Sequence, residues 1–240
     1  MEHHIVSSYD DELKFILRRI SEMGGQAERM VEQAVSALIR SDWGLAQSVV
    51  ADDILLDTLQ REVDERAVLT IGKRQPMAHD LREIVGAIRI SNDLERIGDL
   101  GKNIAKRVIA VTDHKQPVQL VRGIEHMSEL ALGQLKNVLD VYATRDDVRA
   151  LEIRAQDAEI DALYTSLFRE LLTYMMEDPR NITACTHLLF SAKNIERIGD
   201  HATNIAETVY YIKTGKQMEV ERPKSDSTPS IASPSSGLNG

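Results

Sequence analysis

The feature that most constrains this chain is that it is written twice. Glu95-Arg96-Ile97-Gly98-Asp99 reappears as Glu196-Arg197-Ile198-Gly199-Asp200, and Asn103-Ile104-Ala105 reappears as Asn204-Ile205-Ala206. Over Glu95–Lys106 against Glu196–Glu207, eight of twelve positions are identical. Upstream, Asp53-x-x-x-Asp57 matches Asp157-x-x-x-Asp161 at an offset of 104, and Pro76 matches Pro179 at 103. The last segments align at 101, so the copies differ in length only around the turn before the third segment and its start. The fold must therefore contain one unit built twice.

The unit is helical. Ile16, Ile20, Met23, Ala27, Met30, Ala34 and Ala37 are spaced 4-3-4-3-4-3, the seam of a helix packed lengthwise on its neighbours. Adding 104 gives Leu120, Ile124, Met127, Ala131, Gln134, Val138 and Val141, the same seam with one polar residue. Only Pro76, Pro117 and Pro179 interrupt the body of the chain, which leaves room for long helices. Aromatic residues are 4%, and β-branched alternation is scarce, which argues against strands. Breaks at Ser41-Asp42, Pro76, Pro117, Thr144-Arg145-Asp146 and Asp178-Pro179 divide the chain into six helices of roughly 25–35 residues, with short connections and antiparallel neighbours. The expected fold is all-α: two tandem, antiparallel three-helix bundles over residues 1–113 and 117–214. A Ser/Pro-rich tail over 215–240 has too little apolar surface to order itself.

Composition narrows the function. With 29 Lys+Arg against 38 Asp+Glu the net charge is −9, a poor basis for nucleic-acid binding. A single cysteine, Cys185, excludes a disulfide framework and fits a reducing compartment. No apolar run reaches the roughly 18 residues of a membrane span, and Met1-Glu2-His3-His4 lacks a basic leader. A cytoplasmic protein is expected, with any membrane association indirect.

The repeated polar residues are the candidates for chemistry. Asp53/Asp57 with Glu95/Asp99, and Asp157/Asp161 with Glu196/Asp200, are i, i+4 pairs on consecutive helices. Each pair lies on one helix face, one turn apart. Like charges so spaced repel. Four carboxylates gathered from adjacent helices are costly without a cation, and hard divalent or ferric ions prefer oxygen-rich sites of this kind. The alternative is a solvated acidic face with Arg96 and Arg197 as internal counter-ions. Gly98 and Gly199, each just before the aspartate, read as points of close helix approach. Cys185 reads as a small core residue, Trp43 as packing at a helix start, and His201 as a surface residue. Asp80-Leu81-Arg82 fits the charge preference of a helix N-terminus. The seven histidines show no metal-ligand spacing. Glycine-rich phosphate loops are missing, no nucleophile–base pair stands out, and no nest or Arg cluster signals direct phosphate binding.

The duplicated Glu-Arg-Ile-Gly-Asp, the following Asn-Ile-Ala, and Leu56-Asp57, Ile160-Asp161 and Asp80-Leu81-Arg82 resemble the PhoU family over about residues 7–214. The resemblance implies two similar three-helix bundles. It implies a cytoplasmic accessory protein of the high-affinity phosphate ABC transporter that acts as a negative regulator of the phosphate-starvation response. The implied partners are the transporter ATPase (PstB-like), a sensor histidine kinase (PhoR-like) and a second copy in a homodimer. It also implies metal ions (Fe, Mn, Mg or Zn) on Asp53, Asp57, Glu95, Asp99, Asp157, Asp161, Glu196 and Asp200, with no organic cofactor and no catalytic residue. The second half lacks the Asp-Leu-Arg triplet: Thr183-Ala184-Cys185 stands there. The competing expectations are a metal-dependent phosphohydrolase and a metal-free helical scaffold.

Overall fold

The structure, a computed structural model, describes residues 2–110 and 118–218. Among these residues there are six α-helices, one 3-10 turn at Pro179–Asn181, and no strand. The helices are α1 (Glu2–Arg40), α2 (Trp43–Arg74), α3 (His79–Ala110), α4 (Val118–Thr144), α5 (Asp147–Glu177) and α6 (Ile182–Thr214). The junction at 111–117 and the tail from 219 onward lie outside the described residues, so the expectations made for them do too.

The duplicated breaks have duplicated causes. Ser41 and Arg145, at equivalent positions, take left-handed φ values of 53° and 56° and turn the chain off the preceding helix. Asp42 and Asp146 then cap the next helix, each side chain accepting the backbone N–H three residues on (Leu45 at 2.9 Å, Arg149 at 3.0 Å). The second turn differs between copies. Pro76 stands three residues before α3, whereas Pro179 opens a 3-10 turn that runs into α6.

All fourteen seam positions of α1 and α4 are buried. Around these seams α1, α2 and α3 pack together, and α4, α5 and α6 do the same. Contacts between Asp53 and Lys102 and between Gln60 and Asn92 run α2 and α3 antiparallel. The two units then join through α3 against α6 and α1 against α4. Residues 82, 89, 93 and 107 of α3 meet 212, 211, 201 and 190 of α6, so these helices also run antiparallel. The joint is thus a pseudo-twofold axis relating the two copies. Arg145 closes one end of it with a bidentate ion pair to Glu83 at 2.9 and 2.6 Å.

Cys185 is fully buried in the core. Trp43 does begin a helix, but it remains about half exposed: the buried face of α2 starts at Ala46 and Val49, and Trp43 lies off it. Arg82 of the Asp80-Leu81-Arg82 triplet donates to the Ile212 carbonyl at 3.4 Å and lies against Gly215, so it helps hold the C-terminus of α6. Gly98 is indeed a point of close approach: a Cβ there would collide with the fully buried side chain of Leu56 on α2. Gly98→Ala is expected to destabilise the protein by about 1–3 kcal/mol through this overpacking. Gly72 has open space around its Cβ direction, so Gly72→Ala should stabilise by about 0.5–1 kcal/mol through helix propensity. Urea unfolding of both variants checks the contrast, and equal effects of one sign would remove the packing explanation.

Candidate functional site

The close approach at Gly98 and Gly199 brings the carboxylate pairs of each unit toward one another. In the first unit Glu95 shows this directly. Burial, then the neighbouring Asp99, and then Asp57 from the facing helix hold its pKa above the usual carboxylate range, while Arg96 pulls the other way. Glu95, Asp99 and Asp57 therefore share one field across α2 and α3. Asp53 is tied to the same group by Lys102, whose Nζ lies 2.6 Å from Asp53 and 2.5 Å from Asp99. Burial works against the ammonium, but the bonds to both aspartates outweigh it and hold the Lys102 pKa above its usual value. Arg96 adds contacts of 3.2 Å to Asp99 and 3.4 Å to Glu95. The counter-ion expected of Arg96 is present, and Lys102 is a second one that lacks an equivalent in the other repeat.

The second unit solves the same crowding differently. Thr203 stands where Lys102 does, and Gln134 stands where Met30 does. Gln134 Nε2 donates to Thr203 Oγ1 at 2.9 Å, and that hydroxyl donates to Asp157 at 3.2 Å. The one polar residue in the α4 seam thus begins a neutral hydrogen-bond chain that ends on a carboxylate. Asp157, Asp161 and Glu196 are all buried. Glu196 accepts from Lys193 at 2.9 Å through one oxygen, while its other oxygen is buried without a hydrogen-bond partner. Burial holds the Glu196 carboxyl above its usual range; Lys193 opposes this, and Asp200 and Asp161 reinforce it.

In the first unit Lys102 links Asp53 to Asp99, and Glu95 feels Asp99 and Asp57; in the second, Asp200 and Asp161 act on Glu196, and Asp157 accepts from Thr203. Their oxygen-only donor sets suit hard cations such as Mg, Mn or Fe better than Zn, which favours nitrogen and sulfur. The orphaned Glu196 oxygen is the feature that best fits a cation. Among the described residues, no three His, Cys, Asp or Glu side chains close on a common point. The carboxylates keep apart, as like charges do, and the first cluster already holds the Lys102 ammonium.

His201 is a correction. It is half-buried between α6 and α3, with Nδ1 2.8 Å from Asp93, which also accepts from Asn204 at 3.4 Å. Its repeat partner is Leu100, so the duplication concealed the role. A tertiary contact across 108 positions leaves no local pattern.

These observations define a class: a duplicated all-helical protein whose recurring polar feature is a carboxylate cluster between the second and third helices of each unit. The PhoU domain family matches residues 20–108 and 124–209. A phosphate-specific transport system accessory protein PhoU homolog from Rhizobium meliloti (strain 1021) is 66% identical over 234 residues, 97% of this chain and 99% of that protein. A homolog of the same name from Caulobacter vibrioides (strain NA1000 / CB15N) is 51% identical over 226 residues, 94% of this chain and 98% of that one. The crystal structure of PhoU from Pseudomonas aeruginosa superposes with a TM-score of 0.84 at 37% identity, covering 87% of this chain and 100% of that one. The phosphate transport system regulatory protein PhoU from Streptococcus pneumoniae shares the fold, with a TM-score of 0.81 at 24% identity over 88% of this chain and 100% of its own. The chain belongs to the PhoU family.

Glu196 allows a test without metal. A raised carboxyl pKa means that the folded protein holds this proton more tightly than the unfolded chain does. The group's contribution to stability is therefore complete below the usual value of 4.5 and is lost as pH rises through the raised folded value. In chelator-treated protein, Glu196→Gln should raise Tm at pH 7, and the gain should shrink toward zero near pH 4. A lower Tm at pH 7 would show instead that the Lys193 contact outweighs burial.

Proposed function

We propose that this chain is a cytoplasmic accessory and regulatory protein of phosphate transport that holds the phosphate-starvation response off when phosphate is plentiful. It acts as an adaptor between the transporter ATPase (PstB-like) and the sensor histidine kinase (PhoR-like). The observation that carries this reading is near-full-length similarity to accessory proteins of phosphate transport in both units of the duplication. Among the described residues no helix is long and apolar enough to cross a membrane, which is consistent with association through partners. An adaptor needs surface to offer. The outer face of α2 supplies it, with Ile54 and Val68 about two-thirds exposed and Leu55 and Leu69 about half exposed. This face suits a homodimer or a partner contact.

Deleting the gene is expected to raise phosphate-responsive expression in high phosphate. Complementation with Ile54→Glu/Leu69→Glu should restore repression only weakly, if α2 is the docking face. Continued repression in the deletion strain would refute the regulatory reading.

The carboxylate clusters are proposed to hold metal ions (Fe, Mn, Mg or Zn), whose charge would relieve the crowding at Glu95 and Glu196. Protein purified without chelators should carry at least stoichiometric metal by elemental analysis. A content well below one ion per chain counts against metal binding and favours the helical scaffold. The enzymatic alternative is a metal-dependent phosphohydrolase on the same carboxylates, because paired metals activate water. A phosphatase assay with Mn, Fe or Mg separates the two. Turnover that disappears in Asp99→Ala would favour the enzyme, and no turnover above the no-protein blank is expected.

A further inference from the structure

The pseudo-twofold axis places an open groove on each side of the α3–α6 contact. The grooves correspond by duplication: Arg89, Asn204, Glu207, Thr208 and Tyr211 of one map at an offset of 101 onto Phe190, Asn103, Lys106, Arg107 and Ala110 of the other. One is lined by Arg89, Asn204, Glu207, Thr208 and Tyr211, with Asp93 beside it. Its charges are satisfied internally. Glu207 pairs with Arg154 at 3.0 Å, Asp93 engages His201 and Asn204, and Arg89 lies over the Tyr211 ring.

The other groove has a volume of about 570 Å³ and is lined by Lys106, Arg107, Phe190, Lys193, Asn194 and Arg197, among others. Both acidic residues of its mate are replaced, while Asn204 is retained as Asn103. Lys106 stands for Glu207, Arg107 for Thr208, and Asn194 for Asp93. Lys193 is committed to Glu196. Lys106, Arg107 and Arg197 form no ion pair among the described residues. Arg107 is stacked on Phe190, 4.3 Å from the ring centre, and its Nε is buried without a hydrogen-bond partner. The Nδ2 of Asn194 is likewise a buried donor with nothing to accept it. Burial alone lowers the Arg107 pKa, with no carboxylate to offset it. In a chain of net charge −9, three uncompensated cations and two unmatched donors in one concavity are conspicuous. None of this is legible in sequence, because Arg197 lies ninety residues beyond Lys106-Arg107, on another helix.

The geometry points to this groove, between the C-terminal half of α3 and the N-terminal half of α6, as a binding site for a phosphate-bearing anion. Arg107 and Arg197 would provide forked donors, Lys106 a point charge, and Asn194 an amide hydrogen bond. The volume exceeds that of a single phosphate and leaves room for a chain of phosphates or a phosphorylated small molecule. The exposed edge of Phe190 offers such a molecule an apolar wall. The assignment stands on the groove's own chemistry and does not depend on the regulatory reading.

The test is isothermal titration of the full-length protein with inorganic phosphate, tripolyphosphate and ATP in separate arms. Ionic strength is held constant, and a chelator keeps metal off the carboxylates. Sulfate and chloride are the controls. Saturable binding of at least one phosphate compound is expected, and the arm that saturates identifies the source. Arg107→Gln and Arg197→Gln should each weaken it by about tenfold or more, whereas Arg89→Gln in the mate groove should leave it unchanged. Arg197 is exposed, so its variant should keep its fold, and helical circular dichroism checks this. The assignment falls if no phosphate compound saturates at millimolar concentration, if sulfate binds as well as each of them, or if both variants bind like the parent.

Discussion

The whole arrangement depends on the antiparallel contact between α3 and α6. Each helix is the third of its unit, and each carries its unit's second carboxylate pair on one face and the joint on another. The repeated glycines let α3 and α6 press close to α2 and α5, which gathers the acidic residues. The opposite sides of the same two helices then meet across the pseudo-twofold axis. Carboxylates, joint and grooves are thus set by the rotation of two helices about their own axes. A shift that relieved crowding in one cluster would also disturb the joint.

Duplication makes this molecule its own control. The backbone frame is nearly the same in both copies, so differences between equivalent positions isolate side-chain chemistry. Asp53 is held by an ammonium and Asp157 by a hydroxyl, because Lys102 and Thr203 occupy the same place. The difference reaches the core, where Gln134 replaces Met30 to orient that hydroxyl. The two units carry equal numbers of these carboxylates, but the lysine of one bridges two aspartates and the lysine of the other pairs with a glutamate.

Much of the fold was legible in the residues. The 4-3 seams located α1 and α4, and the Asp caps located the starts of α2 and α5. These features are local or periodic. What could not be read were pairings between residues far apart in sequence that the repeat does not duplicate: Lys102 with Asp53, His201 with Asp93, Arg107 with Phe190. Each replaces a different residue in the other copy, so the comparison that revealed the architecture passed over them. Trp43 failed for a different reason. A large apolar residue at a helix start suggested packing, but Trp43 lies off the buried face that begins at Ala46.

The ion pair between Arg145 and Glu83 fastens one end of the joint, where α3 begins and α6 ends. At the opposite end the equivalent of Arg145 is Ser41, which carries no charge to form such a pair. In mechanical terms the two units are riveted at one end and only pressed together at the other. The cationic groove lies at the unriveted end. A bridging anion there would act as a second rivet and would set how far the units can splay apart.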